Sequence, residues 1–139
     1  MSDISPALQE ASAEALRDDA GVIAAFGMSD IQIFTIVPNN AVEPYLVLGP
    51  AQVLPLLAEG FDLSEMDYPV HVWSRTSPPA MDEAQAMATA VRSCMLGVQV
   101  TSGGRVYAAT PVRTVYLVDP SDNRTVHAVV TTRFTTAPA

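Results

Sequence analysis

The sequence predicts an α+β fold: a mostly antiparallel sheet of about five strands with two main helices packed on one face. Three observations lead to this. A helical stripe of small apolar residues runs from Ala84 to Met95. Strict two-residue alternation runs from Arg124 to Thr135. Short β-branched and aromatic runs are set off by proline, glycine and asparagine. A length of 139 residues is expected to give one domain spanning 1–139, enough to bury a core without disulfides.

The elements follow in order. Leu8, Ser12, Ala15 and Leu16 recur at helical spacing and predict a helix over residues 5–17. Asp18 or Asp19 then caps a short second helix through Phe26, which Gly27 stops because glycine accepts a left-handed backbone. Ile31 to Val37 reads as a strand broken by Pro38-Asn39-Asn40, and Tyr45 to Leu48 as a buried strand ended by Gly49-Pro50. Residues 50–67 read as a long loop, flexible or interface-forming. Within it Pro55 opens a marginal helix over Leu56 to Glu59 that Gly60 ends.

Val70 to Arg75 predicts a third strand, with Val70 and Val72 on one face and His71 and Trp73 on the other. Ser77-Pro78-Pro79 opens the next helix, with Asp82 and Glu83 at its positive end. Ala84, Met87, Ala88, Val91, Cys94 and Met95 form its apolar stripe, and Gly97 its end. Gly103-Gly104 is a turn, and Arg105 to Val118 a long strand bent or bulged near Pro111. Asp119 to Asn123 turns the chain into a last strand. It has Val126, Ala128, Val130, Thr132 and Phe134 on one face and His127, Val129, Thr131 and Arg133 on the other.

The chemistry is sparse. A single cysteine excludes an intrachain disulfide and a cysteine zinc cluster, and Cys94 on an apolar stripe is an inert small hydrophobe. His71 and His127 could share a metal from neighbouring strands, but a usual site needs three or four ligands. The favoured reading is a pair of surface or interface imidazoles. Ser102-Gly103-Gly104-Arg105 is too short for a phosphate loop and no helix follows it. Asp18-Asp19 and Asp82-Glu83 are explained as helix caps. No catalytic, cofactor or metal residues are assigned.

The net charge is −8, and the seven basic residues are arginines spread singly, which argues against binding nucleic acid by phosphate neutralisation. No run is long and apolar enough to span a membrane, and the N-terminus lacks the basic start and apolar block of a secretory signal. One layer of helices leaves the second sheet face, with His71, Trp73 and Arg133, to meet solvent or another subunit. The apolar residues of the loop, Leu54, Leu56, Leu57, Phe61 and Leu63, exceed what a small domain usually displays. These eight residues are the candidate interface.

Five stretches, in order, carry a resemblance: ALQEASAEALRDDAGVIAAFG, VPNNAVEPYLVLG, HVWSR, AQAMATAVRSCMLG and RTVYLVDPSDNRTVHAVVTTRF. Together they cover nearly the whole chain, and in them it resembles the tail terminator or tail completion family of long-tailed phages, found also in phage-like gene transfer particles. The leucine-rich segment from Pro50 to Tyr68 departs from the family pattern. The resemblance implies a non-enzymatic virion protein, a hexameric homo-oligomeric ring at the head-proximal end of the tail. Its implied partners are copies of itself, the tail tube protein and the head–tail connector, with DNA passing transiently through the lumen. The alternatives are a head-completion stopper protein and a small cytoplasmic ligand-binding module.

Overall fold

The computed structural model describes residues 4–58, 61–75, 80–120 and 124–136, with the side chains of 54–58, 61–64, 75 and 80 outside that description. Three helices and seven strands follow in the order α1 (Ser5–Asp18), α2 (Ala20–Phe26), β1 (Ile33–Phe34), β2 (Tyr45–Leu48), β3 (Gln52–Ala58), β4 (Phe61–Arg75), α3 (Ala80–Met95), β5 (Gln99–Ser102), β6 (Arg105–Val118) and β7 (Thr125–Thr136). The strands form one sheet in the order β1-β2-β4-β7-β6-β5, with β3 also paired to β4. Among the described residues β1 and β2 run parallel and every other pair is antiparallel.

The helices form where spacing and caps predict. Leu8, Ser12 and Leu16 are fully buried along one stripe of α1. The Asp19 carboxylate accepts the Val22 amide at 2.9 Å and so caps α2, whose end is Gly27 at φ 68°. In α3, Ala84, Met87, Ala88, Val91 and Met95 are buried, with Cys94 packed partly against the same core. The Ser77-Pro78-Pro79 start expected for α3 lies outside the described residues. So does part of the expected Asp119–Asn123 turn, residues 121–123.

The core lies between the helices and one sheet face. Met66, Tyr68, Val70 and Val72 of β4 join Val126, Ala128, Val130 and Phe134 of β7 there, all buried. Ser74, also buried, donates to Glu83 Oε1 at 3.3 Å and so ties β4 to the first turn of α3. Strand β6 carries an extra residue between Pro111 and Arg113, the irregularity that proline predicts. Pro111 opposes Thr132 while Arg113 already opposes Thr131. Tyr107 and Ala109 therefore share the helix face with Thr114 and Tyr116, whereas Arg113, Val115 and Leu117 go to the other.

Two expectations are corrected. Residues 50–67 are not a loop with a marginal helix: β3 and β4 form a long hairpin, with Gln52 opposite Asp67 and Ala58 opposite Phe61. Pro55 is tolerated because β3 pairs on one side only among the described residues, so its missing N–H need not serve a second neighbour. The strand expected over Ile31–Val37 shrinks to Ile33–Phe34. Its partner β2 begins only after Pro44 and is four residues long. Ile36 and Val37, though β-branched, thus find no ladder, and Ile36 is 86% exposed. Among the described residues β3 and β5 join the five expected strands, within the same α+β class.

Two substitutions test this packing. Ser12 is fully buried and its hydroxyl has no hydrogen-bond partner among the described residues. Ser12→Ala is therefore expected to raise stability by about 1 kcal/mol in a denaturant titration, since an unsatisfied buried hydroxyl costs about 1–3 kcal/mol. Phe134, also fully buried, is expected on truncation to alanine to lose about 3–5 kcal/mol in the same assay.

Candidate functional site

Alternation along β4 and β7 sends every second side chain away from the helices. On β4 these are Glu65, Asp67, Pro69, His71 and Trp73; on β7 they are His127, Val129, Thr131 and Arg133. No helix covers this face among the described residues, and its side chains, apart from the buried Thr131, are half-buried where those opposite are fully buried.

An aromatic band crosses the face. Trp73 stands directly opposite His127 in the ladder, and their rings stack at 4.0 Å and 9°. His71, one pair further along, lies diagonal to His127, with ring centroids 5.0 Å apart at 26°. Tyr45 on β2 stacks on the far side of Trp73 at 6.3 Å, and Phe34 on β1 meets Tyr45 edge-on at 5.7 Å. Toward β6 the band continues into Leu117 opposite His127 and Val115 opposite Val129, which are 50% and 38% exposed.

The two histidines are in direct contact, His71 Nδ1 to His127 Nε2 at 2.7 Å. One ring donates and the other accepts, an arrangement open only while at least one of them is neutral. Burial, and then the charge of His71, pushes the His127 pKa down to about 4. Burial also lowers that of His71, offset in part by a hydrogen bond to the Gly49 backbone. Among the described residues no third histidine, cysteine or carboxylate joins them in a cluster fit for a metal. The pair belongs to the aromatic band as uncharged rings.

Arg133 forms the polar counterpart. It stands opposite Asp67 in the ladder and clamps it in bidentate fashion, Nε to Oδ1 at 2.7 Å and Nη2 to Oδ2 at 3.1 Å. Glu65 Oε2 approaches Nε at 3.8 Å. Two carboxylates around one guanidinium leave this corner with one excess negative charge.

Of the eight candidate interface residues, the structure brings His71 and Trp73 into one band and places Arg133 on the same face. Leu54, Leu56 and Leu57 lie on β3, and Phe61 and Leu63 on β4, with side chains outside the described residues. Sequence reasoning missed Tyr45, Phe34, Val115 and Leu117 as members of the face. The signal for the last two was alternation in β6, obscured by the bulge. Cys94 sits on a helix, across the sheet from both histidines. Burial, then the charge and hydrogen bond of Asp19, pushes its thiol up to about 11. It remains a thiol, and it forms no pair with either histidine.

The histidine pair makes a pH prediction. Both rings have folded-state pKa values below the unfolded value of about 6.5, so between these values the unfolded chain binds more protons. Stability is expected to be full above about pH 6.5 and to fall as pH drops toward about 4, the value for His127. Denaturant midpoints across that range check it: the His71→Gln/His127→Gln variant should lose less stability over the window than the parent chain.

The comparisons with known proteins agree with this geometry. The tail completion protein gp17 family matches residues 10–137. A chain in the virion of a native gene transfer agent particle is 20% identical, with a TM-score of 0.77 over 97% of this chain and 98% of that one. The gp17 protein of bacteriophage SPP1 is 23% identical, with a TM-score of 0.61 over 94% of this chain and 89% of that one. No curated protein matches in sequence. At these identities the two structures share the fold, and the family match covers nearly the whole chain. The chain belongs to the tail completion protein gp17 family, and is a structural component of a virion tail.

Proposed function

We propose that the protein is a tail terminator: a ring, hexameric by the family resemblance, that caps the tail tube and joins it to the head connector. DNA passes through its lumen. The observation that carries this is the sheet face that no helix covers among the described residues, where Trp73, His71, His127, Val115 and Leu117 present a continuous apolar and aromatic surface backed by the buried Tyr45. Aromatic side chains gathered on an open surface are typical of the buried centre of protein interfaces. The protein acts by docking, without catalysis. A shallow cleft between α1 and β1, lined by Gln9, Glu10, Ile33 and Phe34 among others, offers a single carboxylate and no nucleophile–base pair.

His71, Trp73, Arg133 and the hairpin residues Leu54, Leu56, Leu57, Phe61 and Leu63 are the proposed contacts to neighbouring subunits or the tube. A net charge of −8 also suits a conduit, because acidic walls repel phosphate and keep DNA from sticking.

Particles assembled without the protein are expected to carry overlong or headless tails in electron micrographs. Complementation with Trp73→Ala/Leu117→Asp should leave a folded chain and the same defect. Tails of normal length joined to heads in the absence of the protein would refute the assignment.

A further inference from the structure

The charges along the chain are segregated, and the strand order turns that segregation into a polarity of the sheet. From Asp18 to Ser74 there is no arginine or lysine, and the strands and loops of this stretch carry Asp30, Glu43, Asp62, Glu65 and Asp67. From Ala84 to Val118 there is no acidic residue, and Arg105 and Arg113 lie on β6. Strands β1, β2 and β3 lie on one side of β4, and β6 and β5 lie at the opposite end of the sheet. One end is therefore acidic and the other basic in a chain that is acidic overall.

Both ends also expose a strand edge. Strand β5 pairs with β6 only as far as Ala108, so the outer edge of β6 from Ala109 to Val118 has no strand beside it among the described residues. It carries the exposed Val115, Leu117 and Val118 beside Arg113. At the other end β3 pairs only with β4 among the described residues, leaving its outer edge, with the exposed Val53, equally open. An open, apolar edge of this length is a template for strand pairing.

We infer that the two ends of the sheet are complementary halves of one head-to-tail contact: the open β6 edge of one copy, with Arg113 on it and Arg105 just beyond it, docks on the uncharged β3 edge of the next, which Glu43 and Asp62 flank. The occupant is a second copy because the complementary charge and the second open edge are both on this chain. Unlike patches on one subunit give a heterologous contact, which closes into a ring when the rotation per step allows. Opposite charge fixes which edge meets which, and like charge keeps two β6 edges apart. This inference rests on the ring proposed above and names the surface that builds it.

Native mass spectrometry and light scattering on the purified chain test it, at low and high salt and across concentration. Wild type is expected to assemble, with at least a roughly tenfold weaker apparent Kd in about 1 M salt, where the screening length falls to about 3 Å. Arg105→Glu/Arg113→Glu makes both ends acidic, and Asp30→Arg/Glu43→Arg/Asp62→Arg, with Arg133 beside the remaining Glu65 and Asp67, makes both basic; each is expected to stay monomeric alone. Mixed in equal amounts they should co-assemble into closed, alternating rings. If wild type forms rings insensitive to salt, or each reversed variant assembles alone as well as wild type, this contact is wrong while the ring stands. If wild type forms no ring under any condition, and none on tube tips, the ring itself fails and this contact with it. Should a reversed variant not fold by circular dichroism, the salt dependence of wild type decides.

Discussion

The fold depends on the antiparallel ladder between β4 and β7, where Glu65 to Arg75 lies against Thr135 to Thr125 without a break. These two strands are central in the sheet, and each hands one set of side chains to the helices and the other to the open face. Because the period is two, a slip of one residue would exchange the faces. In the strand that slipped, either Val70 and Val72 or Ala128 and Val130 would then meet water, and its outward set, His71 and Trp73 or His127 and Arg133, would turn under the helices. Burial of the aliphatic set is what holds the register, and the register is what assembles the outward set. Core and candidate interface are thus two consequences of one alignment.

That alignment also explains the electrostatics of the open face. Asp67 and Arg133 are neighbours only because the ladder puts them opposite one another. The close approach of His71 and His127 arises one pair away, on the diagonal. Each contact is local in space and distant in sequence, so both vanish together if the two strands are misaligned. The face therefore reports the correct register in a way a surface assembled from a single loop would not.

Much of this was legible from the residues, and the failures have definite causes. Helix α3 and strand β7 each bury one side, so their periods of 3.6 and 2 show plainly in the sequence, and the outward position of His71, Trp73 and Arg133 followed from parity alone. The β3–β4 hairpin was not legible because Pro55 and Gly60 are read as punctuation. A proline is harmless on an edge strand, and edge position is decided by the rest of the sheet. The shortness of β1 had the same origin: its residues favour strand, but the length of a strand is set by its partner. Asp67, once placed in a loop, could not be recognised as the partner of Arg133. The stacking of Trp73 on His127 required a register between strands far apart in the chain, which no local pattern carries.

The bulge in β6 has a consequence for how this surface can vary. One extra residue between Pro111 and Arg113 reverses the parity of everything after it. Upstream, odd-numbered positions serve the interior; downstream, they serve the exterior. The distal half of the strand is thereby uncoupled from the proximal half, so outward side chains at 113, 115 and 117 can be exchanged without altering which residues fill the space beneath the helices. A single irregularity gives the protein a stretch of outward surface free to diverge on a scaffold that is not.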